Sequence, residues 1–172
     1  MSQSFELDEV EHFTVATIGE PGQRLFLLQA VQGRRVVTLK VEKQQVSALA
    51  AFFGEMMQDL PRPAHLPDDM DLRQPAEVDW VAGSLAATYD EVIDRIILQI
   101  EEAVVGGEED LFGDSDAATA RFNITREQAS AMAIRGTSLV ESGRPPCPLC
   151  GHPLDPAGHA CPRTNGNRPP TN

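Results

Sequence analysis

A ten-residue stretch occurs twice in this chain of 172 residues, and this repeat restricts the possible folds more than any other feature of the sequence. The segments VEKQQVSALA (41–50) and ITREQASAMA (124–133) align without a gap at a spacing of 83 residues and share four identities. In both, the apolar residues recur at helical spacing. Two similar units can bury their apolar faces together around a pseudo-twofold axis, so the repeat predicts an internal duplication.

Stretches typical of β-strands precede each helical segment. They are FTVATIG (13–19), RLFLLQAV (24–31) and RRVVTLKVE (34–42) in the first half, and VDWVAGSLAATYD (78–90), DRIILQIEEAV (94–104) and ATARFNI (118–124) in the second. β-branched residues and Gly/Pro turns favour strands for these stretches. Helices are predicted at 44–60 and, after a capping box of Thr125 and Gln128, up to about Val140.

The sequence therefore predicts an α+β fold in which duplicated β-β-β-α units form an antiparallel sheet with two helices. Its parts are a first repeat at 1–60, a linker at 61–77, a second repeat at 78–142 and a C-terminal zinc-binding tail at 143–172. Three prolines in PRPAHLPDD (61–69) indicate an exposed loop. Trp80 and the Phe52–Phe53 pair are expected in the core.

All three cysteines lie in the tail segment CPLCGHPLDPAGHACPR (147–163). Cys147 and Cys150 form a C-x-x-C with proline inside and glycine after it, a pattern typical of a tight knuckle whose backbone N–H groups face the thiolates. Downstream, His159 and Cys161 are two residues apart, so both can face one ion from an extended chain. Cys147, Cys150, His159 and Cys161 are therefore the predicted ligands of a tetrahedral Zn²⁺.

His152 is an alternative fourth ligand, although its position two residues after Cys150 would strain the turn. A catalytic zinc keeps one position open for water, whereas four protein ligands are present in this tail. The ion is therefore predicted to be structural. Zinc binding of this kind contributes about 10–16 kcal/mol, which is enough to order a segment with almost no apolar core.

The charge of the chain is unevenly distributed. The net charge is −12, and residues 143–172 carry three arginines and one aspartate, so the body is strongly acidic and the tail weakly basic. An acidic body repels a phosphate backbone and suits a cationic protein partner, and only the tail is suited to nucleic acid. No apolar run is long enough to span a bilayer, and the polar N-terminus does not resemble a signal peptide. The expected location is a reducing cytoplasm.

A second candidate cation site is the glycine- and acid-rich loop at 106–116, whose carboxylates could hold Mg²⁺ or Ca²⁺. Its spacing does not follow the EF-hand pattern, and a solvated loop is the favoured interpretation. His12 and His65 lack the sequence context of a nucleophile or its base. Gln45 and Gln128 recur at the same place in both repeats, where they either line a shared cleft or serve helix capping.

The segments GRPPCPLCGHPLDPAGHACPRTNG (143–166), GEPGQRLFLLQA (19–30) and VEKQQVSALA (41–50) together resemble a family of conserved actinobacterial proteins of unknown function. Members of that family are often encoded beside a histidine-phosphatase-like protein and a protein resembling phosphoinositide kinases. The resemblance implies a shared pathway and carries over Cys147, Cys150, His159 and Cys161 as motif positions. It supplies no catalytic residue, and His152 is not firmly part of the motif.

The leading functional prediction is a non-enzymatic cytoplasmic adaptor or regulatory protein with a structural zinc knuckle and a protein partner. One alternative is a binder of, or enzyme for, a phosphorylated small molecule in a cleft between the repeats, with the loop at 106–116 holding Mg²⁺. Another is contact with nucleic acid through the basic tail. The sequence leaves the partner and the oligomeric state open.

Overall fold

The computed structural model describes residues 1–20, 22–104, 117–143, 147–152, 154 and 161–163, so the acid-rich loop at 106–116 lies outside the described residues. The strands are β1 (Phe5–Leu7), β2 (His12–Ile18), β3 (Leu25–Gln32), β4 (Arg35–Val41), β5 (Trp80–Asp90), β6 (Arg95–Glu102) and β7 (Thr119–Ile124). The helices are α1 (Lys43–Met56) and α2 (Arg126–Ser142). The α+β class predicted from the sequence is therefore correct.

All seven strands belong to one mixed sheet with the order β1-β7-β6-β5-β4-β3-β2. Strands β2–β4 and β5–β7 are two antiparallel meanders, as predicted. The prediction of a purely antiparallel sheet is wrong at two places, because β4 pairs with β5 in parallel and β1 pairs with β7 in parallel. The connection from β4 to β5 contains α1, and a crossover of this kind is what parallel neighbours require.

The two parallel joints are reciprocal. Strand β1 belongs to the first half of the chain and pairs with β7 of the second, with Leu7 opposite Phe122. Strand β5 begins the second half and pairs with β4 of the first, with Trp80 opposite Leu39. Leu39 and Phe122 each lie three residues before the residue that caps the following helix. The first strand of each half therefore pairs with the last strand of the other half: β1 pairs with β7, and the start of β5 pairs with β4.

The hydrophobic core lies between one face of the sheet and the two helices. The inward face of β4 consists of Val37, Leu39 and Val41, all buried, as the sequence predicts. Phe53 and Trp80 are also buried, but Phe52 is 44% exposed, so its expected place in the core is wrong. Adjacent residues on a helix point in different directions, and of these two phenylalanines only Phe53 lies on the buried side of α1.

Both helices begin with a capping box. The box predicted at Thr125 and Gln128 is confirmed, and α1 begins with a similar box at Glu42 and Gln45.

The end of α1 at Met56 is earlier than predicted, because the chain turns over 57–60 before Pro61. An apolar stripe sets the buried side of a helix but not its last residue.

Residues 70–79, here called the strap, cover the outer face of β2, β3 and β4. The hydroxyl of Thr14 donates to the carbonyl of Met70, and the side chain of Gln29 pairs with the backbone of Arg73. The backbone N–H of Asp79 donates to the carbonyl of Thr38 at 2.8 Å. These contacts explain why polar side chains on this face are fully buried.

Candidate metal centre

The C-terminal tail contains a tight turn at its first two cysteines. The backbone N–H of Gly151 donates to the carbonyl of Cys147 at 2.8 Å, and the N–H of Cys147 donates to the carbonyl of His152 at 2.7 Å. Gly151 has a φ of +75°, a conformation that residues with a side chain rarely adopt. The glycine after the C-x-x-C therefore permits the knuckle that the sequence predicts.

The three thiols come together around one point. The Sγ atoms of Cys147, Cys150 and Cys161 all lie within 4.8 Å of one another, and those of Cys147 and Cys161 are 4.0 Å apart. Cys147 and Cys161 are buried and Cys150 is partly exposed. A disulfide needs about 2.05 Å between sulfurs, whereas two thiolates on one tetrahedral zinc are separated by about 3.8 Å. The observed spacing matches shared metal ligation and excludes a bond between Cys147 and Cys161.

Hydrogen bonds from the knuckle reach the sulfurs. Burial raises the pKa of the Cys147 thiol, but the backbone N–H groups of Leu149 and Cys150, together with contacts to the other two thiols, outweigh burial and lower that pKa. Burial raises the pKa of Cys150, contacts with Cys161 and Cys147 raise it further, and the N–H of His152 opposes them. Backbone N–H groups aimed at sulfur stabilise thiolates, the form that binds a metal.

The two candidate histidines are placed differently. His159, the predicted fourth ligand, lies outside the described residues. The His152 side chain is exposed and its ring is not part of the thiol cluster, while its backbone completes the knuckle. The identity of a fourth ligand therefore stays a prediction, with Cys147, Cys150 and Cys161 as the ligands that the structure brings together.

The donor set fits Zn²⁺ better than a hard cation. Three sulfurs within 4.8 Å of one another suit a soft or borderline ion, whereas Mg²⁺ and Ca²⁺ select oxygen ligands. When bound, Zn²⁺ supplies cross-links between the knuckle and the chain around Cys161 without redox chemistry. The three cysteines are the residues that would hold the ion, and the N–H groups around Cys147 and Cys150 would orient the sulfurs.

Other residues singled out in the sequence have structural contacts. The His12 ring lies 2.8 Å from the carbonyl of Asp71 in the strap, and His65 is exposed. Gln45 donates from its side chain to the carbonyls of Ala82 and Gly83, and Gln128 donates to the carbonyl of Val10. These glutamines cap helices, and Gln45 also joins α1 to β5 while Gln128 joins α2 to the connection between β1 and β2. A shared cleft is not needed to explain their recurrence.

No pattern in the sequence indicates one further feature, a cavity walled by Arg24, Lys40 and Lys43. Arg24 lies 16 residues before Lys40, so no local motif contains all three cations. The available signal was the turn GEPG before Arg24, which reads as an ordinary loop when considered alone.

Within the part of the chain that the structure describes, no helix combines the length and apolarity that crossing a bilayer requires.

The fold and the cysteine cluster define a small α+β protein with a candidate metal-binding knuckle at its C-terminal end. The sequence profile of a family described as "Protein of unknown function (DUF3090)" matches residues 5–161, from the first strand to the last cysteine. The chain therefore belongs to this family. No curated protein and no solved structure matches the chain.

Proposed function

We propose that this protein is a non-enzymatic cytoplasmic adaptor or regulatory protein whose C-terminal knuckle is built around a structural zinc ion. The observation that carries the proposal is the meeting of three thiols within 4.8 Å of one another. Cys147, Cys150 and Cys161 are the proposed ligands, with His159 as the fourth. A site closed by four protein ligands stabilises its module and presents a surface, but it has no open position for a substrate.

We propose further that the two β-β-β-α halves arose by duplication. The reciprocal parallel joints support this, and so do the recurring glutamines. Gln45 of the first half bonds the backbone of Ala82 and Gly83, near the start of the second half. Gln128 of the second half bonds the backbone of Val10, near the start of the first half. Descent from one unit explains why the same side chain makes the same kind of cross-connection twice.

The proposed partner is a protein with a cationic surface. The acidic net charge of −12 supports this choice. Complementary charge raises the rate of association and selects against acidic partners. By the family resemblance, a phosphatase-like and a kinase-like protein are the proposed companions in the same pathway.

A cytoplasmic location is part of the same proposal. Cys147 and Cys161 are too far apart for a disulfide, and the cluster suits metal binding. Thiols of this kind persist where the compartment is reducing.

Affinity capture at physiological salt tests the adaptor proposal. The zinc-replete full-length chain is the bait, beside a Cys147→Ser variant and a control variant, Ser47→Ala, at an exposed position of α1. The expected result is one stable protein partner that binds the wild type and Ser47→Ala and is weakened by Cys147→Ser. The absence of a partner, or catalytic turnover by the purified chain, would contradict the proposal.

A further inference from the structure

A cavity of about 440 Å³ opens on the surface where the first half of the chain meets the end of α2. Its wall includes the turn before β3, the last residues of β4, the first residue of α1, and Gly143 directly after α2. The volume lies within the range of about 300–1,000 Å³ typical of small-molecule sites. The cavity contains none of the three cysteines, so it is a different site from the knuckle.

Three cations contribute to this wall in a chain that is strongly acidic. They are Arg24, Lys40 and Lys43, each partly buried, and the acid among the lining residues is Glu42. None of the three forms an ion pair with a carboxylate in the described part of the chain. Like charges that share a partly buried wall repel one another, and a counter-ion from solution relieves that repulsion.

The corresponding place in the second half shows how such a wall is neutralised. Lys43 and Arg126 are the first residues of α1 and α2, and Arg24 and Asp94 are the residues immediately before β3 and β6. Asp94 accepts from Nε and Nη2 of Arg126 at 2.9 and 3.1 Å. In the second half the helix-starting cation therefore meets a carboxylate at two points.

In the first half that carboxylate is replaced by a guanidinium. Arg24 has the position in the first half that Asp94 has in the second half. Lys43 therefore shares its cavity with a second cation and not with a hydrogen-bonded carboxylate. The space beside Gly22 is also open, because a Cβ added to this glycine would have no atom other than those of its chain neighbours within 4 Å. The first half thus has the cations and the space, and lacks the anion that its counterpart supplies from its own chain.

We propose that this cavity binds the phosphate group of a small molecule, which takes the place of the missing carboxylate. A phosphate carries about −1.5 to −2 charges at neutral pH and has three acceptor oxygens, so it suits three cations with one acid beside them better than a monocarboxylate does. Arginine matches a phosphate in a two-point geometry, and lysine adds a point charge.

The other explanation for these cations is that they stabilise the C-terminal end of α2. Arg24 Nη1 donates to the hydroxyl of Ser142 at 2.9 Å, and Lys43 Nζ lies 3.5 Å from where a Cβ on Gly143 would be. Cations are favourable at a helix C-terminus. Arginine has five N–H donors and lysine three, so one contact each leaves donors for a ligand. The experiment below separates the two explanations.

The test uses the zinc-replete full-length protein, freed of unbound zinc and titrated with inorganic phosphate and with glycerol phosphate. Potassium chloride at matched ionic strength is the reference. The expected result is a melting temperature that rises with a phosphate compound more than with chloride, because a ligand of the folded state stabilises it. Backbone amide shifts in NMR should concentrate at 22–26 and 40–43. Binding of glycerol phosphate in preference to the free ion would identify an ester as the ligand.

Two variants with the same change of charge make the test specific. Arg24→Asp recreates the pair seen at Asp94 and Arg126, and it should weaken phosphate binding about tenfold or more. Arg34→Asp lies in the exposed turn between β3 and β4 and should change binding less than twofold. If Arg24→Asp fails to fold, Lys43→Gln is judged by the same criterion.

Two results would overturn the proposal. The first is a response to phosphate no larger than that to chloride, which leaves only the helix-end role for the cations. The second is an equal loss of binding in Arg24→Asp and Arg34→Asp, which would mean that phosphate responds to overall charge. Either result leaves the zinc proposal untouched, because that proposal depends on the cysteines.

Discussion

The side-chain amide of Gln29 pairs with the backbone of Arg73 at two points. Its Oε1 accepts from the N–H of Arg73 at 2.7 Å, and its Nε2 donates to the carbonyl of the same residue at 3.0 Å. Nε2 also donates to the hydroxyl of Thr38 at 3.0 Å. Gln29 is fully buried under the strap. The side chain of Gln29 thus forms one donated and one accepted hydrogen bond with the backbone of the strap, as the backbone of a neighbouring β-strand would.

Replacing Gln29 with alanine should lower the free energy of unfolding by about 2–3 kcal/mol, because the change removes both hydrogen bonds to Arg73, leaves the buried hydroxyl of Thr38 without this partner and opens a cavity. Urea denaturation measures the change. Trypsin should also cleave faster after Arg73, since the strap is less firmly held.

The second half offers a matched control for that change. Gln99 of β6 lies opposite Arg121, as Gln29 lies opposite Thr38, and both Arg121 and Thr38 are four residues before a helix cap. Gln99 is exposed, so Gln99→Ala should change stability by less than about 0.5 kcal/mol. Equal effects at the two positions would show that Gln29 does not hold the strap.

Much of the local structure could be predicted from the sequence, because it depends on nearby residues. The two meanders followed from β-branched stretches and turns, and the start of α2 followed from Thr125 and Gln128. The parallel joints could not be predicted, because β1 has only three residues and its partner β7 lies more than a hundred residues away. Pairing over such a distance leaves no periodic signal in either segment.

The two candidate sites differ in the same way. Cys147 and Cys150 form a local pattern whose spacing already indicates a metal, and the fold adds how close Cys161 comes. Arg24 and Lys43 form no pattern, because a strand pair and a helix start bring them to one cavity. Gln29 likewise reads as one polar residue in an apolar strand until the strap is known.

Replacement by alanine should change the stability of the protein differently at Gly54 of α1 and at Gly136 of α2. A Cβ on Gly54 of α1 would meet nothing within 4 Å, whereas a Cβ on Gly136 of α2 would lie 3.3 Å from Ala50 Cβ and Val46 Cγ1. Gly54→Ala should raise the free energy of unfolding by about 0.5–1 kcal/mol through helix propensity. Gly136→Ala should gain less, because α1 and α2 must move slightly apart.

Thermal and urea unfolding of the two variants side by side measures this difference. Each substitution adds one methyl group inside a helix, so the propensity contribution is the same in both. A larger gain at Gly136 than at Gly54 would contradict the close approach of the two helices.

Acid should remove the contribution of Asp94 to stability. Hydrogen bonds from Arg126, and next from the hydroxyl of Tyr89, hold the pKa of Asp94 below its ordinary value of 3.8. A carboxyl whose pKa is lower in the folded state stabilises the protein above the unfolded pKa, and this stabilisation is lost as the pH falls through the folded pKa. Wild type should melt higher than Asp94→Asn near pH 7, and the difference should shrink below about pH 4.

The single tyrosine of the chain provides the control for that experiment. The Tyr89 hydroxyl donates to Asp94 at 2.8 Å, and this hydrogen bond, followed by burial, raises the pKa of Tyr89 above 10.0. In Asp94→Asn the phenol should titrate closer to its ordinary value, as absorbance reports directly. An unchanged tyrosine titration together with unchanged acid stability would show that the contact contributes nothing.

Removal of the metal should loosen the tail and leave the sheet folded. The protein purified under reducing conditions should contain one Zn²⁺ per chain by elemental analysis, and a chelator should make all three thiols reactive to an alkylating agent. Serine at Cys147, Cys150 or Cys161 should weaken zinc binding by about two orders of magnitude or more, since even residues that only support ligands contribute tenfold to a hundredfold. Far-ultraviolet circular dichroism of the body should change little, because its core contains none of these cysteines.

The fourth ligand is decided by a pair of histidine variants. His159→Ala should weaken zinc binding about as much as loss of a cysteine, whereas His152→Ala should have a small effect, because the His152 side chain is exposed and contributes only its backbone to the knuckle. Competition with a coloured zinc chelator measures both affinities. The reverse order would assign the site to His152. Metal well below one equivalent, with all three thiols alkylated in the untreated protein, would rule out the zinc knuckle altogether.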